Sequence, residues 1–436
     1  MKILVIGGGG REHALVWKIR QSPLVSRIYC APGNSGIAGL ADCLPIEPSD
    51  IVELVDFAAK IKIDLTVIGP ELPLNLGLAD EMRKRDLRVF GPRKGAAEIE
   101  ASKVFSKEFM TRHGIPTASY LVFRAEGDAL SHLKARSTRY PLVVKADGLA
   151  SGKGVVVAGS RDEAMSAVRR MMGERAFGAA GDAVIIEECL AGTEVSFFAI
   201  CDGTRLIPWP TCQDFKRALD GDLGPNTGGM GSYSPSPYVD AGMFKEIVTR
   251  IMAPTVAGLA KEGRPYQGIL YAGLMLTEGG PMVLEYNARL GDPEAEALLP
   301  RLKGDLVPWL VAAADGTLPI DQPIDWRREA AVTVVLTSHG YPGSYEKGKT
   351  IRGLLDAASL PEATVFHCGT RTLPTGETES AGGRVLAVTG VASTLELAAR
   401  RAYDAVARIR FEGMSYRRDI ALAAIQRIAS VREAGL

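Results

Sequence analysis

Short apolar runs alternate with amphipathic stretches over the first hundred residues. Lys2–Ile6 is an apolar run that ends in glycines, Arg11–Gln21 follows with helical spacing, and Arg27–Ala31 is a second strand-like run. Asp50–Lys60 reads as a helix with Asp50 and Glu53 in capping-box positions. Asp64–Ile68, Asn75–Arg85 and Arg88–Phe90 continue as strand, helix and strand. This alternation predicts a parallel, doubly wound sheet. Ligands of such sheets bind outside the carboxyl ends of the strands, which here carry Gly7–Glu12, Ala31–Gly36 and Gly69–Leu72.

The pattern then changes. Gly91–Lys103 reads as a crossing into a second domain, and Tyr140–Ser160 as two β-rich runs flanking a glycine-rich loop. Another β run, Ala183–Ile186, leads into Glu187-Glu188-Cys189-Leu190. Leu270–Leu276 and Met282–Asn287 form a hairpin turning at Glu278-Gly279-Gly280. Asp315–Arg328 is a candidate linker. Beyond it, strands at Ala331–Thr337, Thr364–His367 and Arg384–Thr389 precede a helix at Leu395–Ile409. The apolar stripe of that helix is Leu395, Ala399, Ala402, Val406 and Ile409, which makes a small α+β C-terminal domain.

Composition narrows the classes. At roughly 150 residues per domain, 436 residues suggest about three domains. Lys and Arg (51) balance Asp and Glu (51), so no bulk field draws the chain to nucleic acid or an anionic membrane. Arg83-Lys84-Arg85, set between Glu81 and Asp86, reads as a solvated helix face. No apolar stretch approaches the ~18 residues of a membrane span, and the opening strand pattern shows no secretory leader. Six cysteines without a C-x-x-C pair read as reduced thiols, which points to a cytoplasmic protein. Five scattered histidines argue against a histidine-built zinc site.

Several segments carry chemistry. Gly7-Gly8-Gly9-Gly10-Arg11-Glu12 fails the dinucleotide fingerprint, because Glu12 or His13 stands where the third glycine belongs. What remains is a helix N-terminus beside Arg11, suited to a phosphate or another anion, or else a tight turn needed only for packing. Gly148–Gly154 is not a P-loop: it is one residue short, Gly154 replaces the required Ser or Thr, and a strand follows. It resembles a flap over phosphates, with Lys145 and Lys153 as counter-charges; the plain alternative is a surface hairpin. Along Leu284-Glu285-Tyr286-Asn287, alternation puts Glu285 and Asn287 on one face. A carboxylate and an amide oxygen so placed suit Mg²⁺, which keeps waters and recruits phosphates, although an exposed polar sheet face would look the same. Asp292 is a natural N-cap with Pro293 in the first helical turn, and Arg289 is a clamp for phosphate or carboxylate. The loop Gly224–Gly231 follows Gln213-Asp214-Phe215-Lys216-Arg217 and holds four glycines in eight residues, costly to order unless backbone approaches a ligand. There is no G-x-S-x-G elbow and no H-E-x-x-H.

The segments GGREHAL, APGN, VIGPE, KADGLASGKGVVV, QDFKR, GPNTGGMGSYSP, LYAGLM and ARLGDPE occur in this order up to about residue 300. Together they resemble the ATP-grasp superfamily and, within it, the phosphoribosylamine–glycine ligases. The resemblance implies an α/β chain with an N-terminal doubly wound parallel sheet (1–101) and a central ATP-grasp domain (102–327). A clamp is inserted at about 121–190, and a small α+β C-terminal domain spans 328–436. ATP would lie between the clamp and central sheets, with Lys103 and Lys145 on its phosphates and Gly152, Lys153 and Gly154 in the covering loop. Glu187 and Leu190 would meet the adenine, and Glu194 the ribose. Glu285 and Asn287 match the positions that hold Mg²⁺ or Mn²⁺. Gly9, Gly10, Arg11, Glu12, Asn34, Glu71 and Arg289 would face phosphoribosylamine, with Asp292 and Pro293 in the same signature. Asn226, Thr227, Gly228, Gly229 and Asp214 would lie near the acyl phosphate and glycine. The implied catalytic groups are Arg289, Asp214 and Lys145. The implied reaction joins glycine to 5-phosphoribosylamine with ATP, through a glycyl phosphate, in a monomer or weak homodimer without nucleic-acid or membrane partners. The chain departs from the family at Phe215 (usually His), Glu296 (usually Gln) and Tyr286 (commonly Phe). Phe215 would remove a polar group near the acceptor site, and Glu296 would replace an amide by a charge. These departures leave room for an ATP-grasp paralogue joining another amino acid or amine. A non-catalytic nucleotide-binding module is the third reading.

Overall fold

In the computed structural model, which describes residues 1–135, 137–149 and 154–433, the first hundred residues close into a five-stranded parallel sheet. Its order is Asp42–Cys43, Arg27–Pro32, Lys2–Gly7, Leu65–Ile68, Val89–Phe90. Ile3, Leu4, Val5 and Ile6 are all buried, as a strand covered by helices on both faces requires. The strand order reverses between Lys2–Gly7 and Leu65–Ile68, so a crevice opens between Gly7 and Gly69.

Local differences from the sequence pattern have physical causes. The helix expected over Asn75–Arg85 is two, Glu71–Leu76 and Leu78–Lys84, parted at Gly77, whose φ is +92°. A left-handed residue ends a helix. Arg83 is not part of a solvated face. It folds inward to donate to the carbonyls of Val89 (3.3 Å) and Gly91 (3.1 Å), at the end of the edge strand. Burial pushes its guanidinium down to about 10, while Lys84 and Arg85 stay exposed. Asp50 does cap the helix Ile51–Ile61, accepting from the Glu53 N–H at 3.3 Å.

Two antiparallel sheets follow. The clamp sheet has the order Tyr120–Phe123, Val184–Glu188, Leu142–Ala146, Val155–Ala158. The helices Glu126–Lys134 and Arg161–Val168 pack on it through Ala129, Leu133, Ala164 and Val168. The central sheet has the order Leu206–Pro208, Thr193–Gly203, Tyr266–Thr277, Gly280–Asn287.

The last sheet forms around Ala330–Thr337, buried along its whole length. On one side it pairs with Arg384–Ala392, which carries Ala363–His367 at the edge; on the other it pairs with Gly231–Ser234, which carries Gln213–Asp214. Two of its five strands therefore come from the chain before residue 235. The helix Leu395–Val406 lies across it, and Leu395, Ala399, Ala402, Val406 and Ile409 are buried there, as the stripe predicted. No helix among the described residues is long and apolar enough to cross a membrane.

Candidate active site

A cleft of ≈ 1520 Å³ runs between the clamp and central sheets and on toward the crevice of the N-terminal sheet. Its first end is lined with cations. The helix Lys103–Arg112 starts at Ser102, whose Oγ accepts from the Phe105 N–H at 3.0 Å, and this sets Lys103 and Lys107 one turn apart on one face. Lys103 Nζ donates to the Gly148 carbonyl at 2.8 Å, at the start of the glycine-rich flap. Lys145 Nζ donates to the Leu284 carbonyl at 3.0 Å and lies 3.1 Å from Glu187 Oε1. The Glu187 side chain is buried between Lys145 and Lys107. Gly154 accepts from the Ala146 N–H at 2.9 Å; Gly152 and Lys153 lie outside the described residues.

The strand Gly280–Asn287 carries a bulge. Gly273 pairs with Glu285 but Leu274 pairs with Val283, so Leu284 is the extra residue. The bulge presents the Leu284 carbonyl to Lys145, while Glu285 and Asn287 reach the cleft. Tyr286 turns away, its hydroxyl 2.7 Å from Thr255 Oγ1. Burial opposes the charge of Glu285, yet Lys216, Lys145, Lys103 and Arg289 hold its carboxyl below the usual range. Lys216 Nζ sits 3.1 Å from Glu194 Oε2 and 4.0 Å from Glu285 Oε1. Among the described residues no three His, Cys, Asp or Glu side chains form a metal cage. Glu285 and Asn287 instead offer two hard oxygens in a cleft rimmed by ammonium groups. This donor set fits an Mg²⁺-like ion that completes its shell with phosphate oxygens and water.

The second end is built around Arg289. Its guanidinium is 3.2 Å from Glu71 Oε2 and 3.2 Å from Glu100 Oε1. Burial alone would raise Glu71, but Arg289 and Arg11 hold it down at about 2. Arg11 lines the cleft, its Nε 2.6 Å from Glu12 Oε1 and its Nη1 donating to the Leu290 carbonyl at 3.1 Å. Glu12 Oε2 takes the Gly9 N–H at 2.7 Å. The helix N-terminus read as suited to a phosphate or another anion thus already binds the Glu12 carboxylate at its Gly9 N–H. Asn34 is likewise committed: its amide donates to Gly8 (2.9 Å) and His367 (2.7 Å) carbonyls and accepts from Gly36 and Ile37. Gly9, Gly10, Glu12 and Asn34 therefore form the wall behind Arg11. Asp214, Asn226, Thr227, Gly228 and Asp292 line the cleft. Gly229 packs beneath it on Pro293, whose Cδ would lie 2.4 Å from a Cβ there. Burial, with Glu294, Glu194 and Glu285 nearby, pushes Asp214 up to about 7 against the pull of Lys216.

Three expectations need correction. Asp292 does not cap the helix Glu294–Leu298, which has no side-chain cap; its carboxylate is 3.0 Å from Arg384 Nη1 instead. Phe215 does not border the acceptor site. Gln213, Asp214 and Lys216 line the cleft, whereas Phe215 does not; it packs on the C-terminal core with Arg417 4.8 Å from its ring. Glu296 presents no charge to the cleft, because it does not line that cleft. It is fully buried, its oxygens have no hydrogen-bond partner among the described residues, and burial with the Asp292 charge pushes its pKa well above the usual range.

Other groups at the site carried no local signal. The Gly228 N–H donates to Tyr341 Oη at 2.9 Å and its carbonyl accepts from Arg384 Nη1 at 2.6 Å. Two C-terminal side chains thus grip one residue of the glycine-rich loop from both of its peptide groups. Glu100, which holds both Arg289 and the Ala288 N–H (2.7 Å), was also unmarked.

Comparison with known proteins agrees with this geometry. Residues 1–100, 101–295 and 331–423 match the family models described as phosphoribosylglycinamide synthetase N domain, ATP-grasp (A) domain and C domain. A phosphoribosylamine–glycine ligase of Caldanaerobacter subterraneus is 47% identical over 421 residues, covering 97% of this chain and 99% of its own. One from Rhizobium meliloti is 48% identical over 427 residues, with 98% and 99% covered. The crystal structure of the Thermotoga maritima phosphoribosylamine–glycine ligase superposes with a TM-score of 0.84 at 35% identity, covering 97% of this chain and 100% of that one. The biotin carboxylase domain of Hydrogenobacter thermophilus 2-oxoglutarate carboxylase shares the fold alone, with a TM-score of 0.72 at 16% identity over 95% of this chain and 91% of that one.

Proposed function

The chain belongs to the phosphoribosylglycinamide synthetase family, and from that premise we propose that its cleft joins glycine to 5-phosphoribosylamine, with ATP converted to ADP and phosphate. The observation that carries the reading is the single continuous cleft. Lys103, Lys145, Glu285 and Asn287 stand at one end, and Arg289, Asp214 and the Gly228 loop at the other.

Lys103 and Lys145 bind the phosphates of ATP and take up the charge that builds as the glycine carboxylate attacks the terminal phosphate. Glu285 and Asn287 would hold Mg²⁺ or Mn²⁺, which when bound supplies further neutralisation of those phosphates. The Gly148–Gly154 loop covers them, Glu187 and Leu190 border the adenine, and Glu194 the ribose. Arg289 is kept charged by Glu100 and Glu71 despite its burial. With Arg11 it orients phosphoribosylamine. Asn226, Thr227, Gly228 and Asp214 border glycine. The amine of phosphoribosylamine then attacks the glycyl phosphate, phosphate leaves, and glycinamide ribonucleotide forms. No side chain becomes covalently modified. The tasks of the chain are to hold three substrates in line and to keep water from the acyl phosphate. The same reading makes it a cytoplasmic enzyme of small-molecule substrates that works as a monomer or weak dimer.

The test is ADP release over a panel of amino acids and amines, with phosphoribosylamine generated in situ. Release should require both glycine and phosphoribosylamine. Turnover with a different pair, and none with this one, would overturn the assignment.

A further inference from the structure

Lys107 is a lysine without solvent: its side chain is 3% exposed, and the reaction above gives it no task. Its ammonium lies 3.0 Å from Glu187 Oε2, donates to Thr117 Oγ1 at 2.7 Å, and sits 5.7 Å over the Tyr120 ring. The other carboxylate oxygen of Glu187 faces Lys145 at 3.1 Å, yet no described group donates a hydrogen bond to it. Lys145 aims a donor at the Leu284 carbonyl instead, beside Glu285 and Asn287. The result is a buried row of ammonium, carboxylate and ammonium with one net positive charge, and its Lys145 end is the one beside Leu284, Glu285 and Asn287.

A carboxylate with a single ammonium partner would cancel most of that partner's field, since ion pairs buried at about 3 Å interact strongly. Sharing Glu187 between two lysines avoids this. We propose that Lys107 is a positioning residue for the nucleotide: it neutralises Glu187 from behind and so leaves the charge of Lys145 free to act on phosphate. The proposal rests on reading the cleft as the ATP site. It adds that one determinant of ATP affinity sits on the far side of Glu187 from Lys145 and acts by charge on that carboxylate.

A pH dependence follows. The groups facing the Lys107 ammonium are Glu187 and Glu188 on the strand Val184–Glu188, Lys145 on Leu142–Ala146, and Tyr120 on Tyr120–Phe123. Burial pushes Lys107 down to about 8, with Lys145 adding to the fall and Glu187 and Glu188 opposing it. Below that pH the row keeps its net charge. As pH rises through it, Lys107 loses its proton, the row becomes neutral, and phosphate affinity falls.

The experiment is calorimetric binding of a non-hydrolysable ATP analogue, ADP and adenosine to the full chain with Mg²⁺ present, for wild type, Lys107→Met and Lys107→Arg. Lys107→Met should weaken the analogue and ADP roughly 10- to 100-fold and adenosine hardly at all. Lys107→Arg should restore most of the loss. Wild-type affinity for the analogue should fall between pH 7 and 9, while Lys107→Arg stays flat. The wild-type pH series tests the same charge if Lys107→Met fails to fold. Unchanged affinity in Lys107→Met, an equal loss for adenosine, or a flat wild-type pH series would overturn the proposal. A wild-type chain that binds none of the three ligands would overturn the nucleotide reading and this proposal with it.

Discussion

The two ends of the cleft are built on opposite plans. At the nucleotide end the working groups come from one helix and two hairpins: Lys103 from the helix, Lys145 from the clamp hairpin, and Glu285 with Asn287 from the central one. At the acceptor end the decisive contacts join parts of the chain remote in sequence. Arg289 meets Glu71 across 218 residues, and Arg384 meets the Gly228 carbonyl across 156. The charges differ too. The first end presents ammonium groups to an anionic ligand. The second gathers carboxylates: Glu71, Glu100 and Asp292 are answered by arginines and Asp214 by Lys216, while burial raises the pKa of Glu296. Local construction suits binding of a common ligand, whereas long-range construction couples acceptor recognition to the docking of all parts of the chain.

The largest effect tests the nucleotide end. Glu285→Gln keeps shape but removes the charge. ADP release should fall by about 10³-fold or more, and a loss under tenfold would mean that Glu285 is only part of a polar sheet face. Arg289→Met tests the joint between the ends. It leaves Glu100 buried without its cation, so urea unfolding should show a loss of about 3–5 kcal/mol; a loss below about 1 kcal/mol would show that the acceptor end does not depend on this pairing.

A smaller effect belongs to Glu296. In the unfolded chain it ionises above about pH 4.3, whereas the fold holds it neutral, so the folded state binds more protons. Wild-type stability should therefore fall as pH rises from that value toward the raised folded pKa. Glu296→Gln has nothing to titrate there. Its stability relative to wild type should grow by about 1–3 kcal/mol between pH 5 and 8, and a constant difference would show that Glu296 is ionised in the fold. The mildest pair concerns the C-terminal grip on Gly228. Arg384→Met should raise KM for glycine about tenfold and Tyr341→Phe about threefold, with nucleotide affinity unchanged. Equal weakening of nucleotide would dissolve the distinction between the ends.

The same division governs what the sequence reveals. Glu285 and Asn287 are readable because a strand alternates. Phe215 was not readable in this way, because the strand Gln213–Asp214 ends before it and its partner Arg417 lies far down the chain. The break at Gly77 was marked by the glycine itself. Asp292 looked like a cap because nothing nearby announces Arg384, which reaches its carboxylate across 92 residues. Lys107, Glu100 and Tyr341 have no local signature, because their roles arise only when remote strands bring their partners to them.

The strand Gly231–Ser234 lies between Gln213–Asp214 and Ala330–Thr337 in one ladder. Severing the polypeptide in Asp315–Arg328 would leave each fragment with a raw, unpaired border of N–H and C=O groups, a template for aggregation. The C-terminal portion is thus no detachable cassette that evolution could trade between enzymes. It can only be inherited together with the glycine-rich loop it hems.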